Sequence, residues 1–362
     1  MEVVLLEPYF TGSHKSWALG LQQHSSYNIQ IHQLSGNYWK WRMHGGAVEL
    51  AQQLDFTPDL ILATSMLDFA TYLGLTKTRS SKSKTGIYFH ENQLCYPWSP
   101  TDRDVVNKRD NHYSFINYTS ALAADKVFFN SLYHKEAFIA ALPKFLNQFP
   151  DYKGLNNVKQ IEAKSQVLHL GMDLKKFDAH KHDEREKYGT ILWNHRWEYD
   201  KNPEQFFKVL YELDGRGIKF NIIILGENFA QQPAVFEEAR THFGERILHF
   251  GYADDFDEYA HLLWKADLLP VTSNQDFFGG SVVEAMYCNC VPLLPKRLAY
   301  GEHVPKELHS TFFYNDEEDL VNRLQRQLLN LPLIRKQNTQ QFVSRYDWAS
   351  CVATYDSLLI AN

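Results

Sequence analysis

Ser273-Asn274-Gln275-Asp276-Phe277-Phe278-Gly279-Gly280-Ser281-Val282-Val283-Glu284-Ala285-Met286 follows an apolar run, Ala266 to Val271, that reads as a buried strand. The stretch offers two carboxylates, Asp276 and Glu284, with seven residues between them and a Gly-Gly pair among those seven. Ser281-x-x-Glu284 has the form of a helix-opening capping box. The expected order is strand, tight loop, helix N-terminus, with the backbone amides of 278–281 at the positive end of the helix dipole. Such an end holds a diphosphate well, and the flanking carboxylates can grip hydroxyls on either side of it. A capping box also accounts for Glu284 without any ligand, and Gly-Gly can simply make a turn.

The acid-x7-Glu spacing resembles the signature of the large retaining nucleotide-sugar transferase group with the GT-B fold. In that group the second acid binds the nucleotide ribose and the first contacts the donor sugar; Glu284 and Asp276 stand at those places. Asp276 is a shorter arm than the Glu often found there, and Asn289 stands where the pattern commonly has Gly. The resemblance implies an α/β chain of two Rossmann-like, doubly wound domains facing across a cleft. Phe277, Phe278, Gly279, Gly280 and Ser281 would then form a donor-binding loop.

A length of 362 residues suits two domains, each able to bury its own core. The composition, 44% hydrophobic and 22% charged, is that of a folded globular chain. A net charge of −6 argues against indiscriminate nucleic-acid binding but leaves room for a local basic patch. Cys95, Cys288, Cys290 and Cys351 make no zinc spacing and no disulfide framework. The opening Glu2-Val-Val-Leu-Leu has no basic segment before it, and no apolar run reaches membrane-span length. A cytoplasmic protein with no membrane partner is expected.

Val3–Leu6 reads as a first strand, followed by a loop with Gly12 and Ser13 and a helix from about Lys15 to His24. This is the first unit of a doubly wound sheet, whose ligands sit beyond the strand C-termini. Nucleotide-sugar transferases place such a Gly-Ser loop against the donor diphosphate and the acceptor. Farther on, Trp39, Lys40, Trp41 and Arg42 interleave aromatic and basic side chains, which can stack on bases while neutralising phosphate, or can anchor a loop. A helix over 47–54 follows. Lys77, Arg79, Lys82 and Lys84 lie in a run with no acid and no apolar face, read as a solvated loop and a candidate phosphate contact. The strand at Gly86–Phe89 ends in His90, Glu91 and Asn92, where this class of fold puts its chemistry. Residues 143–164 read as irregular and polar, and 171–187 as a linker. The expected domains are 1–172, 188–345 and a final helical segment, 346–362.

The second half restarts the βα rhythm. Arg196 and Lys201 follow a strand at 190–193, where two cations can neutralise charge developing on a departing diphosphate; surface ion pairing is the alternative. Gly226, Glu227 and Tyr252, at strand ends, are candidates for the base pocket. Taken together, Glu7-Pro-Tyr-Phe-Thr-Gly-Ser-His-Lys15, His90-Glu-Asn-Gln-Leu, Trp193-Asn-His-Arg-Trp-Glu-Tyr-Asp-Lys-Asn-Pro203 and Phe277-Phe-Gly with Glu284-Ala-Met-Tyr-Cys288 resemble the tRNA-queuosine mannosyltransferases. That resemblance implies transfer of mannose from GDP-mannose, as co-substrate, to the cyclopentenediol of queuosine in the tRNA-Asp anticodon, with retention. It implies that Arg196 and Lys201 stabilise the diphosphate, that His90 contacts the transferred sugar, and that Glu91 and Asn92 lie on the acceptor side. It implies no cofactor and no metal, and a last helix that returns to the first domain. The alternatives are a transferase acting on a lipid, polysaccharide or small metabolite, and a non-catalytic RNA-binding protein on the same scaffold.

Overall fold

The computed structural model describes residues 1–98, 102, 104, 111–226 and 233–360. The chain divides into two compact units, one formed by 1–172 with 348–362 and the other by 173–347. Each is a parallel sheet wrapped by helices.

In the first unit the strands are β1 (Glu2–Phe10), β2 (Asn28–Ser35), β3 (Leu60–Thr64), β4 (Lys84–Phe89), β5 (Lys126–Phe129) and β6 (Ser165–Val167), in the spatial order β2-β1-β3-β4-β5-β6. A parallel sheet is buried on both faces, which is why its strands read as unbroken apolar runs. The period of two still sorts the side chains. Val4, Leu6, Ile61, Ala63, Ile87 and Phe89 pack on one face with Ala47 and Leu50. Val3, Leu5, Leu60, Leu62, Tyr88 and Phe128 pack on the other with Trp17, Leu21, Trp348, Tyr355 and Leu359. The last helix, Trp348–Ile360, therefore completes the first unit's core. The Tyr355 hydroxyl fixes it, accepting from Trp17 Nε1 and the Gly171 amide at 3.0 Å each and donating to the His169 carbonyl at 2.7 Å.

The second unit contains β7 (Gly189–Asn194), β8 (Phe220–Leu225), β9 (Ile247–Gly251), β10 (Leu268–Pro270), β11 (Val291–Pro295) and β12 (Phe313–Tyr314), ordered β12-β11-β10-β7-β8-β9. This is the doubly wound order whose direction reverses between β7 and β10, and the loops beyond those two strands flank the crevice where such sheets bind ligands.

Several local expectations need correction. The helix expected over 47–54 begins at Trp39 and runs to Gln53, so the Trp39–Arg42 segment is its first turn. Gly45 and Gly46, which weaken a helical reading, serve packing: a Cβ on Gly45 would stand 2.6 Å from the Trp41 ring, and one on Gly46 3.2 Å from Pro8. The basic run at 77–84 is not one solvated loop, because Lys77–Ser80 forms a helical turn and Lys84 opens β4. The stretch 143–164 holds the end of helix Leu132–Leu146 and the helix Asn156–Ala163. Part of the expected linker is packed: Phe177, in the 3₁₀ turn Lys175–His180, is fully buried, and its carbonyl accepts from Trp264 Nε1 at 2.8 Å.

Candidate active site

The loops beyond β7 and β10 are laced together through backbone carbonyls, which accept from one amide and from the Thr272 and Arg297 side chains. The Asn274 amide donates to the Asp200 carbonyl at 2.7 Å. Thr272 Oγ1 donates to the Lys201 and Asn202 carbonyls at 3.0 Å each. Arg297 holds the Thr272 and Ser273 carbonyls at 2.8 and 2.9 Å. On this frame buried Lys201 donates from Nζ to the Gln275 carbonyl at 2.6 Å and to Asp276 Oδ1 at 2.9 Å, with Asp200 Oδ2 at 3.2 Å. The Tyr300 hydroxyl donates to the other Asp276 oxygen. Burial raises the Asp276 carboxyl's pKa, but the Lys201 charge and these hydrogen bonds outweigh it and hold the pKa below the usual value. Asp276 is thus an ionised acceptor aimed by two donors. Arg196, half exposed, grips Glu198 through two nitrogens at 3.1 and 3.3 Å.

The capping box does not form. Helix Gly280–Tyr287 takes Gly279 as its N-cap, with φ +85 and no side-chain cap. A left-handed residue is needed there, and a Cβ would meet the Tyr300 ring at 3.0 Å, so glycine answers both demands. Glu284 instead accepts from the Tyr259 hydroxyl at 2.7 Å, and Asn194 Nδ2, at the end of β7, donates to Tyr259 at 2.9 Å. Burial pushes the Glu284 pKa up, opposed by the Tyr259 hydrogen bond. Ser281 Oγ lies 3.3 Å from Nδ1 of buried His195. The first intrahelical bonds run from the Val282 and Val283 amides to Gly279 O, and helix geometry places the Gly280 and Ser281 amides ahead of them, at the helix mouth. Asn289, at φ +60, takes the left-handed position that ends this helix, where asparagine substitutes for glycine.

Among the other expected donor residues, Gly226 sits at φ +131, where a Cβ would come 2.0 Å from the His195 carbonyl. Tyr252 follows β9 and is 70% exposed. Phe277 and Phe278 have buried side chains, which leaves only their backbone for the expected donor contact. Glu227 lies outside the described residues. A cavity of about 200 Å³ surrounds Asp267 and Arg335 at the amino end of β10, away from these loops.

In the first unit, Gly12 and Ser13 are the exposed first residues of helix Gly12–His24 rather than a loop before it. The next residue, His14, is buried, and its ring lies 4.2 Å from the His90 ring. His90 is held neutral: burial lowers its pKa well below the usual value, aided by repulsion from His14 and His134. Asn92 is fully buried, and its Oδ1 accepts from the Leu94 and Cys95 amides at 3.0 and 2.9 Å, which fixes the turn after β4. Glu7, His14 and His90 each place one donor atom within 4.8 Å of the others, a spacing a cation can take. Both nitrogens of His14 also face carboxylates, Glu7 at 3.0 Å and Glu91 at 3.2 Å, so the same ring can instead bridge the two acids as a doubly protonated donor.

Residues 2–172 match the family model described as tRNA-queuosine alpha-mannosyltransferase N-terminal, and 175–343 match glycosyl transferases group 1. A Drosophila melanogaster protein named tRNA-queuosine alpha-mannosyltransferase is 32% identical over 357 residues, covering 96% of this chain and 92% of its own. The chain belongs to the tRNA-queuosine alpha-mannosyltransferase family. It is a glycosyltransferase. Among solved structures, Anabaena HepE in complex with UDP-glucose is similar at a TM-score of 0.68 and 16% identity over 99% of each chain. The OtsA apo structure is similar at 0.68 and 12% over 100% of each. These likenesses show the GT-B fold.

The two patches expected to face RNA are rearranged. Lys40 is spent on Asp102 and Asp104, at 2.6 and 2.5 Å, and lies over the Trp39 and Trp98 rings. Trp39 anchors against Trp98 and Tyr113, whereas Trp41 and Tyr38 are 63% and 79% exposed. Arg42 ties back to the carbonyl and hydroxyl of Ser35. The basic run touches the other end of the same helix, where Arg79 reaches the Ala51 carbonyl at 3.3 Å. Twelve residues of helix put the two patches about 18 Å apart, so they are not one surface. Sequence reasoning passed over Glu7, His14, His195, Tyr259 and Tyr300 as site residues. Glu7, His14 and His195 lie inside the quoted motifs, whereas Tyr259 and Tyr300 reach the site from other elements and leave no local signal.

Proposed function

We propose that this chain transfers mannose from GDP-mannose to the cyclopentenediol of queuosine in the anticodon of tRNA-Asp, in the cytoplasm, with retention at the anomeric carbon. The supporting observation is Lys201 bonded to Asp276 at the β7/β10 switch point, beside the amino end of helix Gly280–Tyr287. In this reading Asp276 holds a sugar hydroxyl and Glu284 the ribose. The Gly280 and Ser281 amides, with Lys201 and Arg196, receive the diphosphate. The bond from the sugar's anomeric carbon to the phosphate oxygen breaks with its electron pair passing to the departing GDP. An acceptor hydroxyl oxygen bonds to the same carbon, and its proton passes to the departing phosphate. Preorganised cations and amides are strongest where charge develops in such a step. Gly226 and Tyr252 border the base.

Because that charge is met by protein groups, transfer should proceed unchanged in excess EDTA. The check is a time course with GDP-mannose, UDP-glucose, UDP-galactose and ADP-glucose in turn, with and without the chelator. Strict dependence on a divalent ion overturns the charge assignment, and preference for another nucleotide sugar overturns the donor.

The tRNA is proposed to lay phosphates on Lys77, Arg79, Lys82 and Lys84. Lys84 opens β4 and His90 follows its end, so about 20 Å of strand separates this patch from the modified base, a span an RNA arm covers. Neutralising all four should weaken tRNA binding most at low salt and reduce the slope of log affinity against log salt by about three. Donor affinity should not change. Equal slopes in filter binding would place the RNA elsewhere.

A further inference from the structure

At the carboxyl end of the first sheet, Glu7 projects from β1 and is fully buried. Its Oε1 accepts from the Tyr9 amide at 2.9 Å, and its Oε2 faces His14 Nδ1 at 3.0 Å. His14 is 6% exposed, and its other nitrogen faces Glu91 Oε2 at 3.2 Å. A carboxylate can only accept, so a ring with a carboxylate on each nitrogen donates from both and is an imidazolium. Burial works against that charge, and Glu7 and Glu91 overcome it, raising the His14 pKa well above the usual value. Against this ring, at 4.2 Å, packs the neutral ring of His90, with Trp17 and Tyr88 edge-on to His90 at 4.8 Å each. Two buried polar atoms around the cluster, His90 Nε2 and Glu91 Oε1, have no hydrogen-bond partner among the described residues. Such atoms in a native fold call for a ligand or a solvent molecule.

We propose that His14 is a positioning residue for the acceptor: clamped by Glu7, its imidazolium locks Glu91 and His90 in the arrangement that receives the hydroxyls of a cis-diol ring. This rests on the acceptor proposed above. Glu91 supplies an accepting oxygen and neutral His90 a nitrogen that can accept a hydroxyl proton; a charged His90 could only donate, and a swinging Glu91 would lose its aim. Glu7 touches no ligand and acts as the counter-charge that keeps His14 protonated.

The groups facing His14 are Glu7 and Tyr9 from β1 and His90 and Glu91 from the turn after β4, with His134 beyond His90. The folded pKa of His14 is raised, so the clamp is complete at and below the unfolded value of about 6.5 and is lost only as pH climbs through the raised value. Acceptor KM should therefore rise along an alkaline limb that belongs to His14.

The experiment pairs nitrogen NMR of the His14 ring in the full chain with steady-state kinetics of wild type, His14→Ala, His14→Gln and Glu7→Gln, each checked by thermal melting. His14 should carry two protons at neutral pH. His14→Ala should raise acceptor KM about tenfold or more, the cost of one charge-assisted hydrogen bond, with donor KM unchanged. His14→Gln should recover part of this and lose the alkaline limb. A singly protonated His14 at neutral pH overturns the proposal. So does an unchanged acceptor KM, an equal rise in both KM values, or stoichiometric zinc uptake that His14→Ala abolishes. Absence of transfer by wild type instead defeats the function proposed above, while the NMR result still decides the clamp.

Discussion

Replacing Lys201 with alanine is expected to lower kcat at saturating donor by about a hundredfold, the loss of roughly 3 kcal/mol of preorganised charge at the leaving diphosphate. Lys201 is held by the Gln275 carbonyl, Asp276 and Asp200, so it meets the diphosphate without first paying to order a long side chain. Its removal also deprives Asp276 of its cation, leaving the Tyr300 hydroxyl as the remaining bond described for that carboxylate. Lost stability must therefore be separated from lost chemistry. The double variant Lys201→Ala with Asp276→Asn removes the orphaned charge and should recover part of the melting temperature but none of the turnover. Full turnover by Lys201→Ala would take Lys201 out of the mechanism.

Glu284→Ala should act on affinity rather than rate. A carboxylate bonding ribose hydroxyls in both ground and transition states contributes uniform binding, and its loss raises KM while leaving kcat at saturation. About 2 kcal/mol, or thirtyfold in donor Kd, is the expected scale for a hydrogen bond to a charged group. The fold should tolerate the change, because Gly279 and not the Ser281–Glu284 pair opens this helix. The Tyr259 hydroxyl loses its 2.7 Å acceptor but has Asn194 Oδ1 at 3.3 Å to turn to. Calorimetric titration with GDP and a thermal melt check both halves. A large drop in melting temperature with unchanged donor affinity would make Glu284 a structural residue.

The strands were legible because a sheet buried on both faces leaves unbroken apolar runs, as in Val3–Leu6 and Leu60–Ala63. The acid pair was legible because its strand, loop and helix are contiguous in the chain. Its capping chemistry was not: a Ser-x-x-Glu pattern does not reveal that a glycine in the left-handed region has already started the helix. Partners distant in sequence were equally hidden. Nothing near Lys40 announces Asp102 and Asp104, and nothing near Asp276 announces Tyr300. Charge patterning failed at 77–84, since a row of cations looks the same whether it hangs in solvent or opens a strand. His14 was passed over because a single histidine in a Gly-Ser segment carries no signal until Glu7 and Glu91 close on it from β1 and from beyond β4.

The most direct measurement incubates the purified chain with GDP-mannose and two preparations of tRNA-Asp, one carrying queuosine and the other guanosine at the same anticodon position. Digestion and nucleoside mass analysis follow. The account predicts a nucleoside one hexose heavier than queuosine, which α-mannosidase cleaves, and no product from the guanosine-bearing tRNA. A hexose added to both preparations, or to neither while the chain still consumes GDP-mannose, would contradict it.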